Sequence, residues 1–365
     1  MKNITQNRTR STRRNAGFSL LELMLAIALF LVVGGAVLLL FVQAMPTYNS
    51  QQNLAGLSIS LQNAVSQLQQ DVVNAGTGYY SGSNIPSWPV GVAIINQSDT
   101  TACASGSNYS YTAGCYDTLN IIMPDPNTPA EHLGTSGGTI NTNTSSSFVL
   151  YTPGFTAAQL TALAADYKSG DELLLVSSSG LLMTTITLTS AGSVSGGAVT
   201  LNYNETSSTG TNTTTTDPLG ITTHSTTVDN GSAVFGVTYG NSDWIFRLQP
   251  ITYSVSLTTA SNPTLQRTQS GTANNIAQEI IGFRIGAALW NDAHNTDTQT
   301  YNYQASSYGT GYDFTIVRSL RVSIIGRTTP GSYGVYSPNS FDGGPYQVLG
   351  AAVVINPRNL SMADN

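Results

Sequence analysis

Hydrophobic and polar positions give this chain two rhythms at its start and a third beyond. From Leu23 to Val42 twenty residues follow one another without a charge. As a helix that run covers about 30 Å, the hydrocarbon thickness of a bilayer. A helix satisfies its own backbone polar groups, so the segment is able to span. Beyond Pro46, Leu54, Leu57, Leu61, Val65, Leu68 and Val72 recur at steps of three and four, with Gln and Asn filling the other positions. That spacing is one apolar stripe on an amphipathic helix, and Gly76 and Gly78 end it. One long helix is expected from Phe18 to Ala75, its front half (18–45) apolar all round and its back half (46–76) apolar on one face.

After the helix the period shortens. Residues 77–147 are rich in loop signals, with Pro86, Pro89, Pro124, Pro126 and Pro129, and short strands are expected near 90–95 and 118–123. Strands follow at 148–151, 172–176, 184–188, 199–203, 233–239, 244–249 and 251–257. In the last of these Ile251, Tyr253, Val255 and Leu257 alternate onto one face. AAQLTALAADYK at 157–168 is expected as a short helix, and the run at 205–220 as a polar loop or hairpin tip. The expected class is α+β: a long N-terminal helix packed on a large antiparallel β-rich head, residues 77–365.

Charge sharpens this picture. Lys2, Arg8, Arg10, Arg13 and Arg14 precede the apolar run, and no acidic residue lies among the first seventeen. Basic flanks stay cytoplasmic, so the head is expected outside. From Phe18 to Tyr167 there is no Lys or Arg, and removal of the five leading cations leaves 8 basic against 19 acidic residues, 8 − 19 = −11. The half without cations cannot supply the basic footprint that nucleic acid requires, and the other eight spread from Lys168 to Arg358, so direct nucleic-acid binding is disfavoured unless the fold gathers them. Cys103 and Cys115 lie on the expected outer side, where disulfides persist. A bridge between them would close a short loop worth about 3 kcal/mol in the chain-entropy picture.

The junction in front of the apolar run carries the chemistry. Gly17 is followed by Phe18, and a single carboxylate, Glu22, lies four residues further on. A secretory signal would have a shorter apolar core, with its cleavage site after it. A plain anchor leaves Glu22 unexplained, because a carboxylate at the start of a membrane helix costs several kcal/mol unless paired. A cut after Gly17 would create an amine on Phe18, one turn from Glu22. This N-terminus resembles that of type IV prepilins and pseudopilins. The resemblance implies that a membrane aspartyl prepilin peptidase cuts after Gly17 and N-methylates Phe18. It implies further that Glu22 neutralises the amine of an adjacent subunit as a fibre assembles. Gly34 and Gly35 lie mid-span, at about 1 kcal/mol each against Ala. They read either as close helix packing or as the local melting that helices of this family undergo.

Further along, LQQDVVNAG at 68–76 resembles the helix end of PilW-type minor pilins, with Asp71 present but its usual basic neighbour absent. ITYSV at 251–255, PTLQR at 263–267, IAQEIIGFRI at 276–285, VRSLRVSIIGRT at 317–328 and VVINPRNL at 353–360 follow the order of that family's C-terminal strands. The resemblance implies a single pass through the inner membrane with a periplasmic head, then a place on the pilus. Its implied partners are the peptidase, membrane lipid before assembly, the inner-membrane assembly platform, the major pilin and other minor pilins, with no nucleic acid, no cofactor and no catalysis by this chain. A minor pseudopilin of type II secretion shares the same N-terminal physics, and an adhesive head on a pilin stalk is a third reading.

Other candidates are weaker. His132, His224 and His294 have no metal-ligand spacing. Asn291, Asp292, Asn295 and Asp297 form an oxygen-rich loop without the glycine and closing Glu of a calcium hand. Asn96, Asn108 and Asn143 begin glycosylation sequons of the kind this Ser/Thr/Asn-rich composition supplies by itself. No GxSxG stands out and no glycine-rich phosphate loop follows a strand, so a hydrolase would need a nucleophile and a base brought together from distant positions.

Overall fold

The computed structural model describes residues 19–76, 91–95, 116–134, 140–141, 145–178, 183–203, 238–259, 262–291, 296–297, 301, 317–329, 339, 341 and 343–358. The elements are α1 (Leu20–Val73), β1 (Val92–Ile95), β2 (Thr118–Pro124), β3 (Glu131–Gly134), β4 (Ile140–Asn141), β5 (Ser147–Leu150), α2 (Ala157–Asp166), β6 (Glu172–Val176), β7 (Met183–Thr187), β8 (Ser193–Ser195) and β9 (Ala198–Asn202). They continue with β10 (Thr238–Tyr239), β11 (Trp244–Ser256), β12 (Thr264–Gln269), β13 (Thr272–Gln278), β14 (Ile280–Asn291), β15 (Thr296–Asp297), β16 (Val317–Arg327) and β17 (Val348–Ile355). The chain divides into two compact units, Met1–Asn53 and Leu54–Asn365.

In the first unit no described residue buries the large apolar side chains of α1. Its large apolar side chains from Leu20 to Val42 are between 45 and 78% exposed. The helix continues through Pro46, which removes one backbone donor without ending it.

In the second unit the same helix carries the stripe that the spacing predicts. Leu57, Leu61, Leu68 and Val72 are buried, while Leu54 and Val65 are half-buried. Each full burial contributes about 2 kcal/mol. The helix tightens at its end, where Asn74 and Ala75 donate to the carbonyls of Asp71 and Val72. Gly76 then turns at φ +90 and donates to the carbonyl of Ile122 at 2.7 Å, which delivers the chain to β2. Gly91 passes so close that a Cβ on it would lie 2.4 Å from the Gly76 nitrogen.

The head is antiparallel in every named strand pair among the described residues. Eleven strands form one branched sheet around β11, which pairs with β2, β3, β6 and β12. A second sheet runs β15-β14-β16-β17. Two apolar cores result. The first joins the α1 stripe to β1, β2, β11, β12, β14 and β16. The second gathers Phe148, Leu150, Leu160, Tyr167, Val199 and Leu201. Strand β6 separates them: Leu174 and Val176 enter the first core and Leu173 and Leu175 the second. A strand buried on both faces reads as a continuous apolar run, which is why ELLLV shows no alternation.

Several boundaries differ from the sequence reading. The strands expected at 244–249 and 251–257 are one strand, β11, that runs through Pro250. Pro250 pairs with Ile122 on one edge, and β12 starts only at Ile251 on the other, so the ring sits where the sheet needs no second donor. Leu257 lies past the strand end and is 49% exposed. The segment 276–285 is two elements. Glu279, at φ +57, breaks it between β13 and β14, held in that left-handed conformation by its ion pair to Arg327 at 2.6 Å. Ser270 and Gly271, both at positive φ, close a two-residue hairpin from β12 to β13. The closing strand starts at Val348 and ends at Ile355, earlier than 353–360, because Pro357 cannot continue it. Helix α2 stops at Asp166, where Tyr167 turns extended. Of the strand expected at 233–239 only Thr238–Tyr239 is described, and the loop at 205–220 lies outside the described residues.

Candidate functional site

At the N-terminus Gly17 and Phe18 lie outside the described residues, and Ser19 is the first one placed. The Ser19 amide donates to Glu22 Oε2 at 3.1 Å, and the Glu22 amide donates to Ser19 Oγ at 3.2 Å. This reciprocal pair is a capping box, Ser-x-x-Glu. Glu22 therefore has a capping role beside the charge role expected from the sequence, and the spacing of three between Ser19 and Glu22 is its signal. The carboxylate also sits at the positive end of the helix dipole. A cut after Gly17 would place an ammonium on the residue directly before the amide that Glu22 already holds.

The helix surface after this cap is a candidate for contact with lipid or with other apolar helices. Among the described residues α1 alone is long and apolar enough to cross a membrane, with mean hydropathy 3.0 in its most apolar window. Gly34 and Gly35 lie inside it, and a Cβ on either would meet no atom of this chain. Neither glycine is required by the chain's own packing.

A second constellation lies where the helix ends. Asp71, in the last turn of α1, is 4% exposed. It accepts from Tyr253 Oη at 2.5 Å, from Arg267 Nε at 2.6 Å and Nη2 at 3.4 Å, and from Gln67 Nε2 at 3.5 Å. Tyr253 and Arg267 stand opposite each other in the β11–β12 ladder, so one register presents both donors to one carboxylate. Burial, then the bond to Asp71, push the Tyr253 phenol far above its usual range. Burial opposes the Arg267 charge, but its bonds to Asp71 outweigh that and raise its pKa. Asp71 therefore has a basic partner, drawn from the sheet and not from the neighbouring helix positions.

A third cluster joins the two cores. Arg247 on β11 reaches Asp125 at 3.1 Å, Asp171 at 3.0 Å and the Asp166 carbonyl at 2.7 Å. It lines an open cleft of about 380 Å³ with Lys168 and Gln249. Arg247 is already held by two carboxylates of the protein, so the cleft offers structure more than chemistry. His132 packs against Trp244 with ring centroids 3.7 Å apart and the rings tilted by 38°. Among the described residues no group of three His, Cys, Asp or Glu is placed to hold a metal. Cys103, Cys115, His224, His294, Asn96, Asn108, Asn143, Asp292 and Asn295 lie outside the described residues, and the side chains of Asn291 and Asp297 are not described.

Residues 12–38 match the Prokaryotic N-terminal methylation motif. The chain carries a type IV prepilin-like N-terminus. The matched span takes in Gly17, Phe18, Glu22, Gly34 and Gly35. Among solved structures, a type IV-like pilin from Thermus thermophilus aligns at 14% identity, covering 55% of this chain and 94% of that one, with a TM-score of 0.18, a likeness too slight to carry an argument. No curated protein matches. The matched motif overlaps the apolar, uncovered front of α1.

Proposed function

We propose that this protein is a minor type IV pilin of the PilW type. It is made as a precursor, held once through the inner membrane with its head in the periplasm. It is cut after Gly17 and methylated on Phe18 by the prepilin peptidase. The 18–45 helix then leaves lipid for a bundle of pilin helices, with the assembly platform, the major pilin and other minor pilins as partners. A head of this size suits a tip or priming complex better than a repeating shaft, where its bulk would crowd neighbours. On this reading the chain catalyses nothing and needs no cofactor.

The observation that carries the proposal is the conjunction of Gly17-Phe18, Glu22 and a charge-free, uncovered helix within one matched motif. Leaving lipid for other helices costs such a surface little, and the Glu22–amine pair would supply the register. Two variants test it in cells that make the fibre. Glu22→Ala should leave cleavage largely intact and lower incorporation, because the subunit loses a counter-charge in an apolar setting. Gly17→Val should leave the precursor uncut. Normal incorporation of the first, or a mature-length product from the second, would defeat the proposal.

A further inference from the structure

Among the described residues, strand β17 has a partner on one edge only. It pairs with β16 from Arg327↔Val348 to Leu320↔Ile355, and no described residue pairs with its other edge. The side chains agree. On β16 the inward residues Val322 and Ile324 are fully covered, whereas Val353 and Ala351 opposite them, on the same face of β17, are only half-buried. Outward, Gly350, Ala352 and Val354 are exposed. The strand VLGAAVVI is eight residues long, with no charge, proline or register shift. Proteins usually blunt such an edge, because its free backbone groups invite another chain. This protein does so at β13, where TANNIAQ is polar and largely exposed. At β17 it does not.

Charge tells what kind of chain would fit. Arg247, Arg267, Arg284 and Arg327 are tied into ion pairs. Arg321 stands beside Val354 across the ladder, and Arg358 follows the strand by three residues; both are exposed, and neither makes an ion pair within the described chain. Among the described residues, two exposed cations outside any ion pair thus flank this long apolar edge. A second copy pairing through the same edge would bring these arginines against each other.

We propose that β17 is a docking edge, where an acidic extended segment of another protein chain adds a strand beside Val348–Ile355. Backbone bonds would supply affinity, and Arg321 and Arg358 would select the charge. This inference does not rest on the pilin reading.

The test uses the full chain in detergent micelles and two synthetic peptides, acetyl-Val-Glu-Val-Glu-Val-Glu-Val-amide and its Lys counterpart. Amide hydrogen exchange is followed by mass spectrometry. The acidic peptide should slow exchange over 348–355 and leave 272–278 unchanged, and the basic peptide should bind about tenfold more weakly. Reversing both charges, Arg321→Glu with Arg358→Glu, should reverse that preference. Equal action of the two peptides, equal slowing at 272–278, or an unchanged preference in the double variant would overturn the proposal. So would protection of 348–355 that grows with protein concentration alone, because the occupant would then be a second copy.

Discussion

Arg267 holds Asp71 across 196 residues of chain, its Nε 2.6 Å from the carboxylate oxygen. The pair joins the last turn of the long helix to the β11–β12 ladder, and Tyr253 adds a second bond to the same oxygen. Asp71 has 6% of its side chain exposed and Arg267 15%, so water screens the pair little. Removal of one partner leaves the other's charge buried. Asp71→Ala and Arg267→Ala should each cost about 3–5 kcal/mol, and the double variant should cost clearly less than their sum. Tyr253→Phe should cost about 1.5–3 kcal/mol. Denaturant unfolding of the head, followed by circular dichroism of the full chain in micelles, reads all four.

Two glycines should respond differently to an added methyl group. At Gly91 the new Cβ meets backbone, 2.4 Å from the Gly76 nitrogen and 2.5 Å from its Cα. Neither strand nor helix exit can move without losing the Gly76–Ile122 bond, so Gly91→Ala should cost about 2–4 kcal/mol. At Gly326 the nearest atom is the tip of Leu57, 2.7 Å away. A rotamer change relieves that contact, and Gly326→Ala should cost about 1 kcal/mol. The same unfolding measurement ranks them.

These two joints show where reading the sequence succeeds and where it stops. The stripe from Leu57 to Val72 was legible because helix periodicity is local. So was the N-terminal methylation motif, because its residues lie within one short stretch. Asp71 looked unpartnered because its cation is 196 residues away and only the β11–β12 register brings it close. Pro250 suggested a break because a sequence does not show which strand edge is free. Strand β13 was missed in part because TANNIAQ has almost no apolar alternation, and β3 because its four residues, EHLG, offer too short a window. The Ser19–Glu22 cap is local too, written in a spacing of three residues.

That cap allows charge and hydrogen bonding to be separated. Glu22→Gln keeps an acceptor at the third helical position, so the capping box survives, but the negative charge is gone. Exchange of the first-turn amides should stay slow in Glu22→Gln and quicken in Ser19→Ala, whose lost cap is worth about 1 kcal/mol. Fibre incorporation should fall in Glu22→Gln despite the intact cap. Normal incorporation of that variant would assign Glu22 to capping alone.

Glu131 gives the head a pH dependence of known sign. Burial lifts its carboxyl above the ordinary Glu value, against a smaller opposing pull from His132. The folded chain therefore holds this proton more tightly than the unfolded one. Stability falls as pH rises from the ordinary Glu value through the raised folded one, and stays reduced above it. Glu131→Gln should be more stable than the parent at neutral pH, with the difference closing below the ordinary Glu value. Unfolding midpoints across that range measure it, and a variant less stable at neutral pH would contradict it.

The most direct test is mass spectrometry of the N-terminal peptide, in sheared surface fibres and in the membrane fraction. The expected species begins with N-methylated Phe18 and is present in the fibres. A Met1 or Lys2 terminus in both fractions would contradict the central claim, since a chain that keeps its leader cannot present the Phe18 amine to Glu22.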